Sequence, residues 1–314
     1  MARAGWKRTS VAGAVLVVTA GVCAQTAGAD TQSGAPWGLA RISHTETLSF
    51  RTYNKYLHKD EGGSFLNVYV LDTGIRTTHQ DFEGRASEWT SQFWGLEGDG
   101  SGRGTHMAGT VAGAKYGVAK KVRPVGVMTA GSNGDQHTDL IIESLEQIRD
   151  PSRRTEDKYG AVVLIGPGAK RSAELSRAID ATMKAGYLVV TAAGDDSTED
   201  CAFPNSALNV AASTVKDEAA DFSNHGKCID VYGPGVNILS DSATSDTSLN
   251  TTSGTGEAAA HAAGVAAYLM YLGKAPLHDA AKAKQTVIDL ATKNALTGVP
   301  AGTPNRLLYN GGDK

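Results

Sequence analysis

Residues 256–272 are rich in alanine and apolar on nearly every side. A helix with this pattern has no face to offer water, so other elements must enclose it. A chain of 314 residues, 41% hydrophobic and 20% charged, is long enough and apolar enough to do so. Residues 67–71, 122–128, 161–165 and 187–193 are short apolar runs, expected as buried strands. Between them Ile141, Leu145 and Ile148, and then Leu175, Ile179 and Met183, recur at helical spacing. Strands alternating with helices give a mostly parallel sheet covered on both faces, a three-layer α/β/α domain. No internal repeat and no Pro- or Ser-rich linker divides the chain, so one domain is expected. Sites in such sheets lie at the carboxyl ends of the strands. Asp72 and Asp195 each follow a predicted strand and are the first candidates for chemistry.

The N-terminus reads as a secretory signal. Arg3, Lys7 and Arg8 are its basic region, residues 11–22 its short apolar core, and Ala27-Gly28-Ala29 its small-residue cleavage site. Asp30 is then the mature start, with Val22-Cys23-Ala24 as a second candidate site. The apolar run is too short to span a bilayer. Cleavage leaves Cys201 and Cys228, an even pair that suggests one disulfide in a secreted chain, with two buried free thiols as the alternative. A formal net charge of −3 gives no reason to expect a nucleic acid or an anionic membrane as partner.

Four blocks then carry a resemblance. Val68-Tyr69-Val70-Leu71-Asp72-Thr73-Gly74-Ile75 resembles the aspartate block of the subtilisin-like serine proteases. Gly102-Arg103-Gly104-Thr105-His106-Met107-Ala108-Gly109-Thr110 resembles their histidine block, and Ala192-Ala193-Gly194-Asp195 their oxyanion block. The stretch from Ser253 to Gly264 resembles their serine block. With scaffold segments such as Ala35-Pro36-Trp37-Gly38 and Asn305-Arg306-Leu307-Leu308-Tyr309, the resemblance covers nearly all of residues 35–312. It is strongest to the proteinase K group and, within it, to cerevisin-like proteases of fungal vacuoles. The implied organisation is a signal peptide at 1–29, a short segment at 30–34 and a subtilisin-like domain at 35–312, with no inhibitory prodomain.

The resemblance fails at the chemistry. It implies the base histidine at Arg103, the nucleophilic serine at Gly256 and the oxyanion asparagine at Asp195; Asp72 alone is retained. Gly256 has no hydroxyl with which to attack a carbonyl. Arg103 stays protonated and cannot serve as a base. Asp195 offers negative charge where a donor is needed. His106 matches the family's packing histidine, and Ser253 is expected to cap the following helix. Arg103 is expected to form a two-toothed ion pair with Asp72, with Asp195 within reach of the same cluster. Where relatives have a Gly-rich edge that pairs with substrate, this chain has Gly166-Pro167-Gly168-Ala169-Lys170, and proline is a poor residue for strand addition.

Cys201 and Cys228 match positions that are disulfide-bonded in many relatives. Asn250-Thr251-Thr252 is a glycosylation sequon, used or unused. Relatives bind structural calcium. Asp230 matches one ligand, although the loop from Cys201 to Val210 is shorter than theirs, and no cofactor is implied for chemistry. Three functions are in play: a secreted, monomeric, non-catalytic binding or decoy protein with an unknown protein or peptide partner; a serine endopeptidase with a non-standard site; or the inert product of a degenerate gene copy.

Overall fold

The computed structural model describes residues 1–2, 29–59, 66–89, 98–153, 157–200 and 203–313. Most of the expected signal peptide and Cys201 lie outside them. In chain order the described residues form β1 (Asp30–Ser33), α1 (Trp37–Ile42), β2 (Lys55–His58), β3 (Asn67–Asp72), β4 (Ser87–Trp89), α2 (Arg103–Ala112), β5 (Arg123–Met128), α3 (Thr138–Ile148), β6 (Ala161–Ile165), α4 (Ala173–Lys184), β7 (Leu188–Ala192), β8 (Leu208–Ser213), β9 (Val231–Pro234), β10 (Ile238–Asp241), β11 (Leu249–Thr252), α5 (Thr255–Tyr271), α6 (Ala280–Leu290), β12 (Thr292–Lys293) and β13 (Arg306–Leu307).

The main sheet has nine strands in the order β12-β13-β9-β8-β7-β6-β3-β5-β4. Every pairing in it is parallel except the edge pair β12–β13. The apolar runs become strands because alternate residues serve two cores. Val68, Val70, Val162, Leu164, Leu188 and Val190 pack with α2 and α5 on one face. Tyr69, Leu71, Val163, Ile165 and Val189 pack with α3 and α4 on the other. The helix expected over 256–272 is α5, and its residues from Thr255 to Met270 are all buried. Ahead of the main sheet, residues 30–59 contain α1 and the antiparallel pair β1–β2.

This order places the site. From β3 the chain builds the sheet out through β5 and β4; from β6 it builds in the opposite direction through β7, β8 and β9. A crevice opens outside the carboxyl ends where the direction reverses. Asp72 ends β3 and Gly166 follows β6, and Gly166 N donates to Leu71 O across the gap at 3.1 Å.

One buried charge within the scaffold was not read from the sequence. Asp241 ends β10 under α2, where a Cβ on Gly109 would lie 2.6 Å from Asp241 Oδ2. Its side chain is fully buried and neither carboxyl oxygen has a hydrogen-bond partner, although His79 Nδ1 lies 3.5 Å away. Burial and the charge of Asp81 push the carboxyl up to about 8, against the pull of Arg85. A carboxyl raised in the folded state contributes stability below its unfolded value of about 4 and loses it as pH rises toward the folded value. Wild-type unfolding free energy should therefore fall from pH 4 to 8 relative to Asp241→Asn by more than about 1 kcal/mol. Parallel profiles in denaturant titrations would contradict this assignment.

Candidate functional site

The site is built around Asp72. Its carboxylate is completely buried and accepts from Thr73 N at 2.9 Å and from Gln136 Nε2 at 3.4 Å. Arg103 Nε donates to both oxygens, at 2.9 Å to Oδ1 and 3.1 Å to Oδ2. The pair predicted from sequence therefore forms, but with one N–H spanning the carboxylate rather than a two-toothed fork. Thr73 N and Gln136 Nε2 supply one further donor to each oxygen. Arg103 Nη2 is left buried without a partner. Burial raises the Asp72 carboxyl above its ordinary value, while the Arg103 charge and hydrogen bonds oppose that shift. Gly166 has to be glycine, since a Cβ there would lie 1.7 Å from Asp72 Oδ2.

Arg103 sits in the first turn of α2, where a positive charge opposes the helix dipole. Asp99 compensates. Its carboxylate accepts from Gly102 N at 2.7 Å, Thr105 N at 2.8 Å and Thr73 Oγ1 at 2.7 Å. Sequence reading missed this cap, because a glycine occupies the cap position and the capping carboxylate lies three residues upstream.

Asp195 follows β7 in the turn at Gly194. It does not join Arg103 in a salt-bridge cluster, as the sequence suggested. Its Oδ1 accepts from Thr255 N at 2.8 Å, at the start of α5. An anion at a helix N-terminus meets unpaired N–H groups and the positive end of the dipole, which is why the carboxylate turns there. Burial raises its pKa, with the Thr255 N–H pulling it back. Asn224 fixes this turn: its Oδ1 accepts from Asp196 N and Thr198 N, and its Nδ2 donates to Ala193 O. Nothing in the local sequence marks Asn224, which is brought in from the segment before β9.

Gly256 lies in the first turn of α5 and is buried. A Cβ there would lie 3.0 Å from Pro167 Cδ, 3.2 Å from Pro167 Cγ and 3.6 Å from Met107 Sδ. The Pro167 ring thus covers the place a side chain at position 256 would enter. Asp72, Arg103, the Gly166-Pro167 turn and Gly256 form one continuous set of contacts, with Asp195 at the adjoining helix start.

The two conceivable substitutes are engaged elsewhere. His106 is buried, with Nε2 3.0 Å from Ile238 O and 3.1 Å from Thr252 Oγ1, and burial lowers its pKa. Ser253 is exposed and its Oγ accepts from Asn237 N at 2.8 Å. It is not the expected cap of α5, whose cap position is Gly254. Asn250 is exposed on β11. Cys228 is disulfide-bonded, while Cys201 lies outside the described residues. Asp230, through which calcium was implied, accepts from Asn209 N and pairs with Lys284 at 2.8 Å, an arrangement that does not fit a divalent ion. No group of three or more His, Cys, Asp or Glu among the described residues could hold a metal.

What this arrangement does best is neutralise itself. The Asp72 carboxylate is buried and the Arg103 side chain is 25% exposed, so removing Arg103 strands the carboxylate, and a double-mutant cycle with Asp72→Asn and Arg103→Ala should return a coupling above about 1 kcal/mol. Asp72→Asn should also recover stability in the Arg103→Ala background. Zero coupling would mean that the guanidinium is effectively solvated.

The Subtilase family profile matches residues 63–306. The chain is 42% identical over 301 residues to the subtilisin-like serine protease Pen ch 18 of Penicillium rubens, covering 90% of this chain and 60% of that protein. It is 41% identical over 305 residues to alkaline protease 2 of Aspergillus fumigatus, covering 90% and 61%. The chain thus spans about 60% of the length of these relatives. A cold-adapted subtilisin-like serine proteinase of known structure superposes with a TM-score of 0.78 at 31% identity, over 88% of this chain and 99% of that one. Sphericase, at 22% identity, shares the fold with a TM-score of 0.74. By profile, relatives and architecture, the chain belongs to the subtilase family of subtilisin-like serine proteases.

Proposed function

We propose that this chain is a non-catalytic subtilase, a protease-shaped protein that binds or decoys a protein or peptide partner rather than cutting one. The observation that carries this reading is Gly256 under the Pro167 ring. The residue assigned to the nucleophile has no hydroxyl, and a Cβ there would press on the Pro167 ring at 3.0–3.2 Å. Two further features support it. The guanidinium at the base position is already committed to Asp72 and cannot accept a proton. A carboxylate occupies the N-terminus of α5, where an oxyanion would need donors, so charge developing there would meet repulsion. The inert-product reading predicts the same absence of turnover; the mutual fit of Arg103 with Asp72, and of Pro167 with Gly256, argues against random decay.

The relatives' names favour the second reading, a serine-type endopeptidase, and Asp72 is the residue that would serve it. That reading needs a nucleophile and a base from outside the assigned positions. His106 and Ser253 are the nearest histidine and serine in sequence, and each is held by other partners. With the domain reading go a secretory route set by the N-terminal signal, a Cys201–Cys228 disulfide and a usable sequon at the exposed Asn250. No helix among the described residues is long and apolar enough to cross a membrane.

Purified chain incubated with a fluorophosphonate probe and a broad peptide library should show neither labelling nor cleavage. Gly256→Ser alone should stay inactive, because Arg103 cannot take the serine proton. Turnover that survives repurification and is abolished by Ser253→Ala or His106→Ala would establish the endopeptidase reading instead.

A further inference from the structure

Three oxygens from two stretches of chain, 205–207 and Asp230, converge on one cation that belongs to the chain itself. Lys284 Nζ, on α6, donates to Asn205 O at 2.6 Å and to Ala207 O at 2.6 Å, and it lies 2.8 Å from Asp230 Oδ2. An ammonium has three N–H groups and no acceptor, so these three oxygens saturate it. The pair is largely withdrawn from water, with Lys284 14% and Asp230 16% exposed. Burial raises the Asp230 carboxyl, and the Lys284 charge is the foremost influence pulling it back.

Two backbone carbonyls and a carboxylate from separated segments are the kind of donor set a hard cation takes. A calcium ion would need such oxygens at about 2.3–2.6 Å with several more to complete six to eight. Here the centre is filled by Nζ, and Asp230 Oδ2 also accepts from Asn209 N at 2.9 Å. The calcium expected at Asp230 therefore conflicts with the residues present. We propose that Lys284 is the resident cation of this site: a tethered ammonium that ties residues 203–207 and the start of β9 to α6 and makes the fold independent of bound metal. The loop has further ties that hold the carbonyls in place, from Ser206 Oγ to Asp180 and from Asn209 Nδ2 to Pro204 O. A cavity of about 600 Å³ beside Lys284 and Asp230 would admit a free ion if the lysine were shortened. This inference is independent of how the catalytic positions are read.

The test is thermal unfolding of the full chain and of Lys284→Ala, each in excess EDTA, in millimolar calcium chloride and in millimolar magnesium chloride. The wild-type Tm should be the same in all three. Lys284→Ala should melt about 5 °C lower in EDTA and recover saturably with calcium but not with magnesium. Lys284→Gln, which keeps a donor without the charge, is a second variant in case the alanine protein does not fold in EDTA. Folding of either variant only with calcium supports the proposal. A wild-type Tm that falls on chelation, or folded Lys284 variants with no calcium-dependent rise, would overturn it.

Discussion

A carboxylate with no exposed surface has to be neutralised where it stands, and Asp72 at the end of β3 sets this requirement for the whole crevice. Its position is fixed by the sheet, where β3 pairs with β5 on one side and β6 on the other, and Arg103, Gln136 and Gly166 lie against the side chain of its last residue. The neighbours follow from that. Gly166 is stripped to a hydrogen because the carboxylate fills its space. Thr73 N and Gln136 Nε2 supply neutral donors, and Arg103 supplies the charge. Arg103 in turn places a positive group in the first turn of α2, and Asp99 answers it by capping the same turn.

The second charge in the crevice is settled separately. Asp195 meets the N-terminus of α5 through Thr255 N. The result is two local solutions instead of one shared cluster: an ion pair at Asp72 and a helix cap at Asp195. Between them the Pro167 ring rests on Gly256. Polar groups that would be turned toward a substrate in a working hydrolase are turned toward each other, and that is the physical content of the proposal that this subtilase binds without cutting.

Much of the fold was legible because burial writes itself into sequence as periodicity. The run at 161–165 and the helix over 256–272 were found nearly to the residue, since both are buried on every side. The six-residue helix α1 was not, because it is too short to show a period, and its Arg41 is buried against Asp217, which inverts the expected pattern. The candidate site was legible in its positions and illegible in its pairings. Asp72, Arg103, Asp195 and Gly256 can be located by the blocks around them. That Arg103 bonds through one N–H, that Asp195 caps α5, that Asn224 holds the Asp195 turn, and that Lys284 fills the place beside Asp230 all depend on contacts across the chain. No local spacing encodes those.

The central claim is that several groups, and not one missing hydroxyl, keep this site from acting on a peptide. It is tested most directly by measuring fluorophosphonate labelling rates for Arg103→His, Asp195→Asn and Gly256→Ser combined, with and without Pro167→Gly. The account predicts slow labelling for the triple variant and a clear rise when the proline ring is removed from position 256. Rapid labelling of Gly256→Ser alone, with Arg103, Asp195 and Pro167 all in place, would contradict it.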